Sequence, residues 1–190
     1  MSALEREVSP GGLPLSITTQ RLVLRRPRLD DAPRYAELLN NFAVAGNLAR
    51  VPLPFTVDHT REWLPEKTRT LNPREFGFAI TTPQDGLIGN IGFHEGRFGP
   101  DIGYWLGEPY WGQGLMTEAI RATVAWFFDN TGEDTLYSGV FHFNMASLAI
   151  QFKLGFVETG RSQIYCQARE REVEHIDTEL SREDFEASRR

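Results

Sequence analysis

Apolar positions along the chain follow two spacings, and the change between them separates strands from helices. Alternation or a short apolar run is typical of a strand, whereas recurrence at every third or fourth residue is typical of a helix. These spacings predict seven strands, over 21–25, 76–81, 87–93, 101–106, 136–143, 156–164 and 173–180. They also predict four helices, one capped by Asp30 or Asp31, one capped by Asp58, and two over 115–130 and 145–154.

Breakers and end segments complete the predicted organisation. Prolines indicate a loop over 41–56, and Pro65 is expected to break or kink the second helix. Residues 1–14 are expected to form a flexible N-terminal tail, 15–182 one domain and 183–190 a C-terminal tail. Strands interspersed with helices in 190 residues predict a single α+β domain.

Composition narrows the class of protein. The net charge of -6 argues against a general nucleic-acid binder, which normally carries a basic excess. The chain has no apolar run of 18 residues, its N-terminus does not resemble a secretory signal, and Cys166 has no second cysteine to pair with. These features lead us to expect a cytoplasmic protein with no membrane partner. The four histidines match no zinc spacing, so no metal is expected.

A glycine loop between the fourth strand and the third helix is the first candidate site. Gly112 and Gly114 precede a helix, whose first amides lack partners and whose dipole is positive at that end. Such a loop can cradle a phosphate, although a tight turn would use the same glycines. Leu115 and Met116 follow Gly114, which excludes a Walker loop, and Thr117 stands where a dinucleotide fingerprint needs Gly or Ala.

A second candidate lies at the start of the last predicted helix. Asn144 ends a strand and Ser147 falls in the first helical turn, so both polar groups are expected to face the same space. Simple helix capping is the alternative explanation for this pair. Neither stretch alone separates a binding site from a local structural role.

Taken together, the two stretches resemble the Gcn5-related N-acetyltransferase (GNAT) family. The sequence is most similar to the ribosomal-protein N-acetyltransferase-like branch of this family. The motifs that carry the resemblance are IGYWL, PYWGQGLMTEA, N-x-x-S and KLGF. The likeness covers roughly 20–180. Met116 departs from the alanine usual in that branch and is expected to narrow the space beside the loop, where a flexible methionine should still fit. The resemblance implies a mixed, mostly antiparallel twisted sheet of about seven strands flanked by about four helices. It also implies a V-shaped gap between the two central strands.

The resemblance further implies acetyl-CoA as cosubstrate and places its contacts residue by residue. The positions that match the pyrophosphate loop are Trp111, Gly112, Gln113, Gly114, Leu115, Met116 and Thr117. Trp105 and Leu106 match the strand whose backbone binds the pantetheine arm. Asn144 and Ser147 match positions that line the channel near the thiol, so both enter the expected catalytic set with Asp101.

Acetyl transfer to an amine sets the chemical requirements. An alkylammonium of pKa ~10.4 must lose a proton before it attacks, and the departing thiolate needs a donor. Asp101 is the expected base, with Glu95 and Glu158 as other options. A carboxylate at the strand edge that only sets loop geometry is the alternative interpretation of Asp101. Ser147 is the expected donor to sulfur, with Tyr104 and Tyr165 as weaker alternatives.

The sequence therefore predicts an N-acetyltransferase that moves acetyl from acetyl-CoA to a primary amine. A protein N-terminal α-amine is one acceptor, and a small amine such as an antibiotic or a polyamine is the alternative. A non-catalytic CoA-binding module is a further alternative, which would keep the glycine loop and need no base. The expected partner is the amine acceptor, with no nucleic acid, and the chain is expected to be a monomer or homodimer.

Overall fold

One continuous sheet carries the fold. The computed structural model describes residues 6–8 and 14–189, in which nine strands lie in the order β1-β2-β3-β4-β5-β6-β7-β9-β8. The strands are β1 Arg6–Val8, β2 Pro14–Thr18, β3 Val23–Arg25, β4 Gly77–Thr82, β5 Gly86–Glu95, β6 Pro100–Leu106, β7 Thr135–Phe141, β8 Val157–Cys166 and β9 Arg171–Ser181. Neighbouring strands are antiparallel except β6 and β7, which are parallel. The predicted α+β domain with a mostly antiparallel sheet is confirmed.

Helices cover both faces of this sheet. In the described part of the chain they are α1 Ala32–Leu39, α2 Phe42–Ala45, α3 Val57–Arg69, α4 Leu115–Asn130, α5 Met145–Leu154 and α6 Arg182–Ser188. The core under α4 includes residues of α5 and α6, whereas α1 and α3 share a second core. The two central predicted helices are confirmed, and α5 ends at Gly155 with φ 100, as expected for a helix-capping glycine.

An aromatic cluster fixes α4 to the sheet. Trp126 packs against Phe76, Phe78 and Phe93 with ring centroids 5.5, 5.2 and 6.0 Å apart. Phe127 stacks on Phe93 at 4.6 Å. All five rings are at most 1% exposed, so this contact buries most of their apolar surface. The C-terminal half of α4 is thereby fixed against β4 and β5.

Strands β6 and β7 separate soon after they begin. Asp101 and Tyr137 are the one residue pair that joins them among the described residues. The Ser138 hydroxyl donates to the Ile102 carbonyl at 2.9 Å, just beyond that pair. Further along, the strands are not paired, which gives the V-shaped gap that the family resemblance implied.

A buried polar chain fixes the closed end of this gap. Gln151 of α5 is fully buried, and its Nε2 donates to the Ser138 hydroxyl at 2.9 Å. Its Oε1 accepts a 2.8 Å hydrogen bond from the Thr178 hydroxyl of β9. Because buried polar groups are costly to leave unpaired, this chain couples the position of α5 to β7 and β9.

We expect Gln151→Ala to lower the free energy of unfolding by about 2–4 kcal/mol, because it leaves a cavity and removes the buried acceptor of Thr178. Urea denaturation monitored by tryptophan fluorescence measures this change. Lys153→Ala is the matched control, because Lys153 lies on the same helix and is exposed; we expect a change within about 0.5 kcal/mol. Equal effects of the two variants would contradict the importance of this buried chain.

Both expected tails require correction. Residues 6–8 form β1, which pairs with β2, and β2 already begins at Pro14, whereas 1–5 and 9–13 lie outside the described residues. At the other end, residues 182–188 form α6, whose Phe185 is 1% exposed and packs 5.8 Å from Phe128. One buried ring anchors a helix whose other residues are mostly charged.

The region before β4 also differs from prediction. Asp31 precedes α1 without capping it, because its carboxylate binds Arg25 at 2.7 and 2.8 Å. Thr56 rather than Asp58 caps α3. Helix α3 continues through Pro65 to Arg69, and a short helix, α2, lies inside the expected loop.

Candidate active site

The loop before α4 has the backbone that its glycines permit. Gly112 and Gly114 have φ of 72 and 75, in the left-handed region that favours glycine. A Cβ on Gly112 would meet no atom within 4 Å, so its outer surface is open. The nearest atom to a Cβ on Gly114 would be Arg21 Nη2, at 3.6 Å. The loop therefore exposes main chain where a ligand can approach it.

The first turn of α4 contributes backbone rather than side chains. The Glu118 amide makes the first helical hydrogen bond, to the Gly114 carbonyl at 3.1 Å. The amides of Leu115, Met116 and Thr117 precede that bond and are free of helical partners. The side chains of Leu115 and Met116 are buried in the core, so Met116 does not narrow the space outside the loop. The larger side chain that replaces the usual alanine is therefore packed in the core under α4.

Arg21 braces this loop, which sequence reasoning missed. Its Nη1 donates to the Gln113 carbonyl at 2.7 Å, and its Nε donates to Glu118 at 2.7 Å. The Arg21 amide and the Thr19 hydroxyl also donate to Glu118, at 2.8 and 2.6 Å. Burial opposes the charge on Glu118, but these hydrogen bonds prevail and hold its pKa below the usual value. The brace joins residues 97 apart, a distance at which local spacing carries no signal.

A cleft of about 640 Å³ adjoins the loop on the side away from β7. It is lined by Thr18, Thr19, Gln20, Arg21, Leu22, Val23, Thr82, Pro83, Gln84, Asp85, Pro109, Tyr110, Gln113 and Leu115. The loop thus lies between this cleft on one side and the gap of the sheet on the other.

Backbone alternation decides which groups of β6 face the gap. The Gly107 amide donates to the Ile88 carbonyl of β5 at 2.9 Å, so that residue pair is hydrogen-bonded. Hydrogen-bonded and non-hydrogen-bonded pairs alternate along antiparallel strands. Two residues before Gly107, the N–H and C=O of Trp105 therefore point to β5, whereas those of Tyr104 and Leu106 point into the gap. The expected pantetheine contact therefore fits Leu106 and Tyr104 better than Trp105. The Trp105 ring packs against Tyr35 on the face covered by α1.

Trp111 and Gln113 tie the loop to the preceding turn. The Trp111 indole donates to the Leu106 carbonyl at 2.8 Å, at the wide end of the gap. The Gln113 side-chain amide donates to the Pro109 carbonyl at 3.1 Å. The Trp111 ring is 44% exposed, so the loop presents an aromatic surface as well as its amides.

Two hydroxyls meet across the gap on the side of α4 and α5. Tyr104 Oη and Ser147 Oγ are 2.7 Å apart, and either can donate. Asn144 accepts a 3.2 Å hydrogen bond from the Ser147 amide, so it caps α5 and fixes the position of Ser147. Burial raises the pKa of the Tyr104 phenol, against the effect of hydrogen bonds with Ser147 and Gln151. The phenol therefore stays protonated at neutral pH and can act as a donor.

Asp101 lies on the opposite face of the sheet. Successive side chains of a strand alternate between faces, so Asp101 and Tyr104 point to opposite sides of β6. Burial raises the pKa of the Asp101 carboxyl to about 7, with the charge of Arg50 opposing and that of Asp177 adding to the rise. This value suits a proton acceptor at neutral pH.

His94 faces Asp101 across β5 and β6, with Nε2 and Oδ1 3.7 Å apart. Burial lowers the pKa of His94 to about 4, assisted by the charges of Arg50 and Lys67. Between pH 4 and 7 both groups are therefore neutral, and the contact is not an ion pair. Arg50 Nη2 lies 3.0 Å from His94 Nε2, which favours a lone pair on that nitrogen.

The other proposed acids and bases lie elsewhere. Glu95 is paired with Arg74, with 3.1 Å between Nη2 and Oε2. Glu158 is exposed and bound to Arg161 at 3.0 Å on the edge strand β8. Tyr165 also lies on β8, which β9 separates from β7, and is 55% exposed. Asp101, Tyr104 and Ser147 are the candidates that the structure brings to the gap.

The described residues show neither a metal-binding cluster nor a membrane-spanning helix. No group of three or more His, Cys, Asp or Glu side chains in residues 6–8 and 14–189 could hold a metal ion. Over the same residues, no helix is long and apolar enough to cross a membrane.

Comparison with known proteins identifies the family. The sequence model described as "Acetyltransferase (GNAT) domain" matches residues 21–157, which is most of the chain. The chain belongs to the GNAT acetyltransferase family. It is therefore an acetyltransferase, as the glycine loop and the Asn144–Ser147 stretch predicted.

Related proteins can be aligned with this GNAT chain over most of its length. It is 27% identical over 172 residues to the SPbeta prophage-derived uncharacterized N-acetyltransferase YokL of Bacillus subtilis (strain 168), covering 89% of this chain and 94% of that protein. The ribosomal-protein-S5-alanine acetyltransferase of Vibrio fischeri has the same fold, with a TM-score of 0.72, 21% identity and coverage of 90% and 98%. Microcin C7 self immunity acetyltransferase MccE, solved with acetyl-CoA and AMP, gives a TM-score of 0.74, 18% identity and coverage of 92% and 98%.

Proposed function

We propose that this GNAT enzyme transfers acetyl from acetyl-CoA to a primary amine by direct attack within the gap between β6 and β7. The observation that carries the proposal is the set of free amides at the start of α4, beside a gap that Tyr104 and Ser147 face. A helix start with two left-handed glycines is suited to a diphosphate. Acetyl-CoA held there by its pyrophosphate would extend its thioester arm along the unpaired backbone of β6.

The coenzyme side of this mechanism uses backbone and hydroxyl groups. The amides of residues 112–117 would bind the pyrophosphate, and the gap-facing backbone of Leu106 would bind the pantetheine arm. The Tyr104 amide is the strand donor best placed to stabilise the oxyanion, because it points into the gap. Ser147, in its hydrogen bond with Tyr104, would supply the proton to the departing sulfur.

The acceptor side uses the opposite face. The amine would reach the thioester carbonyl from the face that carries Asp101, and the Asp101 carboxylate would accept a proton from its nitrogen. In support of this role, Asp101 lies at the closed end of the gap and has a pKa of about 7. Glu95 already carries an ion pair with Arg74, which makes it the poorer base.

We favour a protein α-amine as the acceptor. The structural likeness to a ribosomal-protein-S5-alanine acetyltransferase motivates this choice, as do the sequence motifs shared with the ribosomal-protein branch of the family. A small amine is the second candidate, which the likeness to a microcin self-immunity acetyltransferase favours. Carboxylates on the acceptor face, Asp101 and Asp177, would attract an ammonium in either case.

A panel of amines tests the proposal. Purified protein and acetyl-CoA are incubated with peptides that begin with alanine, serine or methionine, with spermidine and with an aminoglycoside. Released CoA thiol is measured and the products are weighed by mass spectrometry. We expect thiol release with an added acetyl group on at least one amine. Acetyl-CoA binding without turnover of any amine would support a non-catalytic module instead.

Loss of the Ser147 hydroxyl provides a sharper test of the donor. We expect Ser147→Ala to lower kcat by about 10- to 100-fold, while the Kd for acetyl-CoA changes little. Tyr104→Phe should give a similar loss, and the double variant should lose little more, because the two hydroxyls act through one hydrogen bond. Steady-state kinetics and calorimetry measure the two quantities.

Ser188→Ala is the matched control for loss of a serine hydroxyl. Ser188 lies on α6 and donates to the Phe185 carbonyl at 2.8 Å, remote from the gap in the fold. Its kcat should equal that of the wild type. Additive losses in Ser147→Ala and Tyr104→Phe would mean that the hydroxyls act separately, and an unchanged kcat in Ser147→Ala would remove Ser147 from the mechanism.

A further inference from the structure

A histidine on the acceptor face stands out because a neighbouring strand leaves room for its ring. A Cβ on Gly139 of β7 would lie 2.2 Å from Cε1 of His175, 2.6 Å from the Ile176 carbonyl oxygen and 2.9 Å from His175 Nδ1. In register, Gly139 opposes Asp177 and Phe141 opposes His175, so all four share one face of the sheet. The imidazole of His175 therefore lies across β7, over a position where only glycine fits.

This position is next to the gap. Strands β6 and β7 are joined at Tyr137, and Gly139 lies two residues further along, where pairing has ended. Asp101 is the β6 residue of that last pair and shares the face of Tyr137. The effect of Asp177 on the pKa of Asp101 places these two carboxylates on the same side as well.

The hydrogen bonds of His175 fix one ring nitrogen and leave the other free. Nδ1 lies 2.7 Å from Asp177 Oδ1, which also accepts a 2.9 Å hydrogen bond from the Ser162 hydroxyl. A carboxylate at Nδ1 holds the proton there and leaves a lone pair on Nε2. Nε2 has no hydrogen-bond partner among residues 6–8 and 14–189, and the side chain is 18% exposed. The ring is thus held in one orientation, with a free acceptor atom and access to water.

We infer that His175, held by Asp177 and accommodated by Gly139, is a second proton acceptor, which takes the first proton from the acceptor ammonium. This inference rests on the proposed function, because an ammonium must lose two protons to become an amide. Nε2 takes the first proton from nitrogen, which leaves a neutral amine with a lone pair, and His175 returns that proton to water.

The neutral amine then attacks the thioester carbon, so the C–N bond forms and the π electrons of the carbonyl move to its oxygen. Asp101 takes the second proton from nitrogen after this step. The C–S bond then breaks, and sulfur receives one proton from the Tyr104–Ser147 pair, which regains a proton from water. Asp101 then releases its own proton to water. The sum is ammonium plus thioester giving amide, thiol and one released proton, so charge and atoms balance. The inference assigns separate proton acceptors to the steps before and after nucleophilic attack.

An acceptor that needs no first deprotonation distinguishes this role from a structural one. The probes are a peptide with an N-terminal alanine and the same peptide with N-terminal trifluoroalanine, whose ammonium is far more acidic. If that peptide is not turned over, the fastest amine of the panel and its analogue fluorinated beside the amino-bearing carbon replace the pair. The variant is His175→Asn, which keeps an N–H toward Asp177 and removes Nε2.

We expect His175→Asn to lower kcat/KM on the order of 100-fold for the ordinary amine and less than about threefold for the fluorinated one. Gly139→Ala should give the same selective loss without deleting any charge, because its methyl group displaces the ring. It should also be less stable than the wild type, because the same methyl group meets the Ile176 carbonyl oxygen at 2.6 Å. His142→Asn is the matched control, because His142 is exposed and bonded to the Glu174 carbonyl at 3.3 Å; it should change neither value.

Equal losses for both amines, or no loss for either, would overturn the inference. Thermal unfolding of each variant shows whether the fold is retained, and the selective loss is read from whichever variant unfolds near the temperature of the wild type. Failure of the inference remains distinct from failure of the proposed function. A wild-type enzyme that acetylates the ordinary amine, together with a fully active His175→Asn variant, would refute the second proton acceptor alone.

Discussion

Gly114→Trp should abolish measurable acetyl-CoA binding, raising Kd by about 100-fold or more, which corresponds to about 2.8 kcal/mol. The indole would project from the turn where the loop amides lie exposed and would occupy the space of the diphosphate. A side chain at φ 75 also costs about 1–3 kcal/mol of folding free energy, so the variant should be somewhat less stable. Isothermal titration calorimetry measures Kd, and thermal unfolding measures the cost in stability.

Gly86→Trp separates the two effects. Gly86 has φ 65, would place a Cβ with no atom within 4 Å, and lies in the β4–β5 hairpin rather than beside α4. It should lose a similar amount of stability and bind acetyl-CoA normally. Normal binding by Gly114→Trp, or equal weakening in both variants, would refute the placement of the diphosphate at this loop.

Asp101→Asn should lower kcat/KM for the amine about 100-fold, because the amide cannot accept the proton. In the wild type, activity should rise with pH through about 7, as the carboxyl ionises. The variant should lack this rise. A pH series of kcat/KM, with acetyl-CoA binding measured alongside, tests both statements.

The same substitution should increase stability at alkaline pH. The folded carboxyl has a pKa of about 7, above the ordinary value of 3.8, so the folded state binds more protons between these limits. Stability therefore falls as pH rises from about 4 to 7, and Asp101→Asn removes that loss. We expect the variant to be about 1–2 kcal/mol more stable than the wild type at pH 8 and similar to it below pH 4.

Glu158→Gln is the control for loss of a carboxylate. This residue is exposed on the edge strand and paired with Arg161, so the pH dependence of activity should be retained. A variant of Asp101 that is less stable at pH 8 yet fully active would mean that the carboxylate sets loop geometry. Loss of the alkaline rise in Glu158→Gln would move the base to β8.

The parts of the fold that the sequence predicted best are those whose signals are local. Helix α4 shows an apolar stripe after a glycine, and α5 lies between a capping Asn144 and Gly155. Helix α6 was missed because its signal is one buried ring, Phe185, among charged residues. Helix α3 continues past Pro65, and Arg26 donates to the Thr68 and Thr70 carbonyls at its end, a long-range contact that composition does not indicate.

The candidate site divides in the same way. Gly112, Gly114 and Ser147 belong to contiguous motifs and were predicted from them. Arg21 depends on a contact between the turn after β2 and the first turn of α4. His175 depends on the register that sets Gly139 opposite Asp177, which only the folded sheet defines. Long-range pairing, rather than residue type, therefore limited what the sequence could predict.

The placement of Asp101 and Ser147 on opposite faces of the sheet also separates the selection of the two substrates. The surfaces that would contact the amine belong to α1, α2 and the segment around Arg50, whereas the proposed coenzyme position borders α4 and α5. The two surfaces have only the central strands in common. Substitutions that change which amines are accepted can therefore accumulate on the face that carries Asp101 without lowering the affinity for acetyl-CoA.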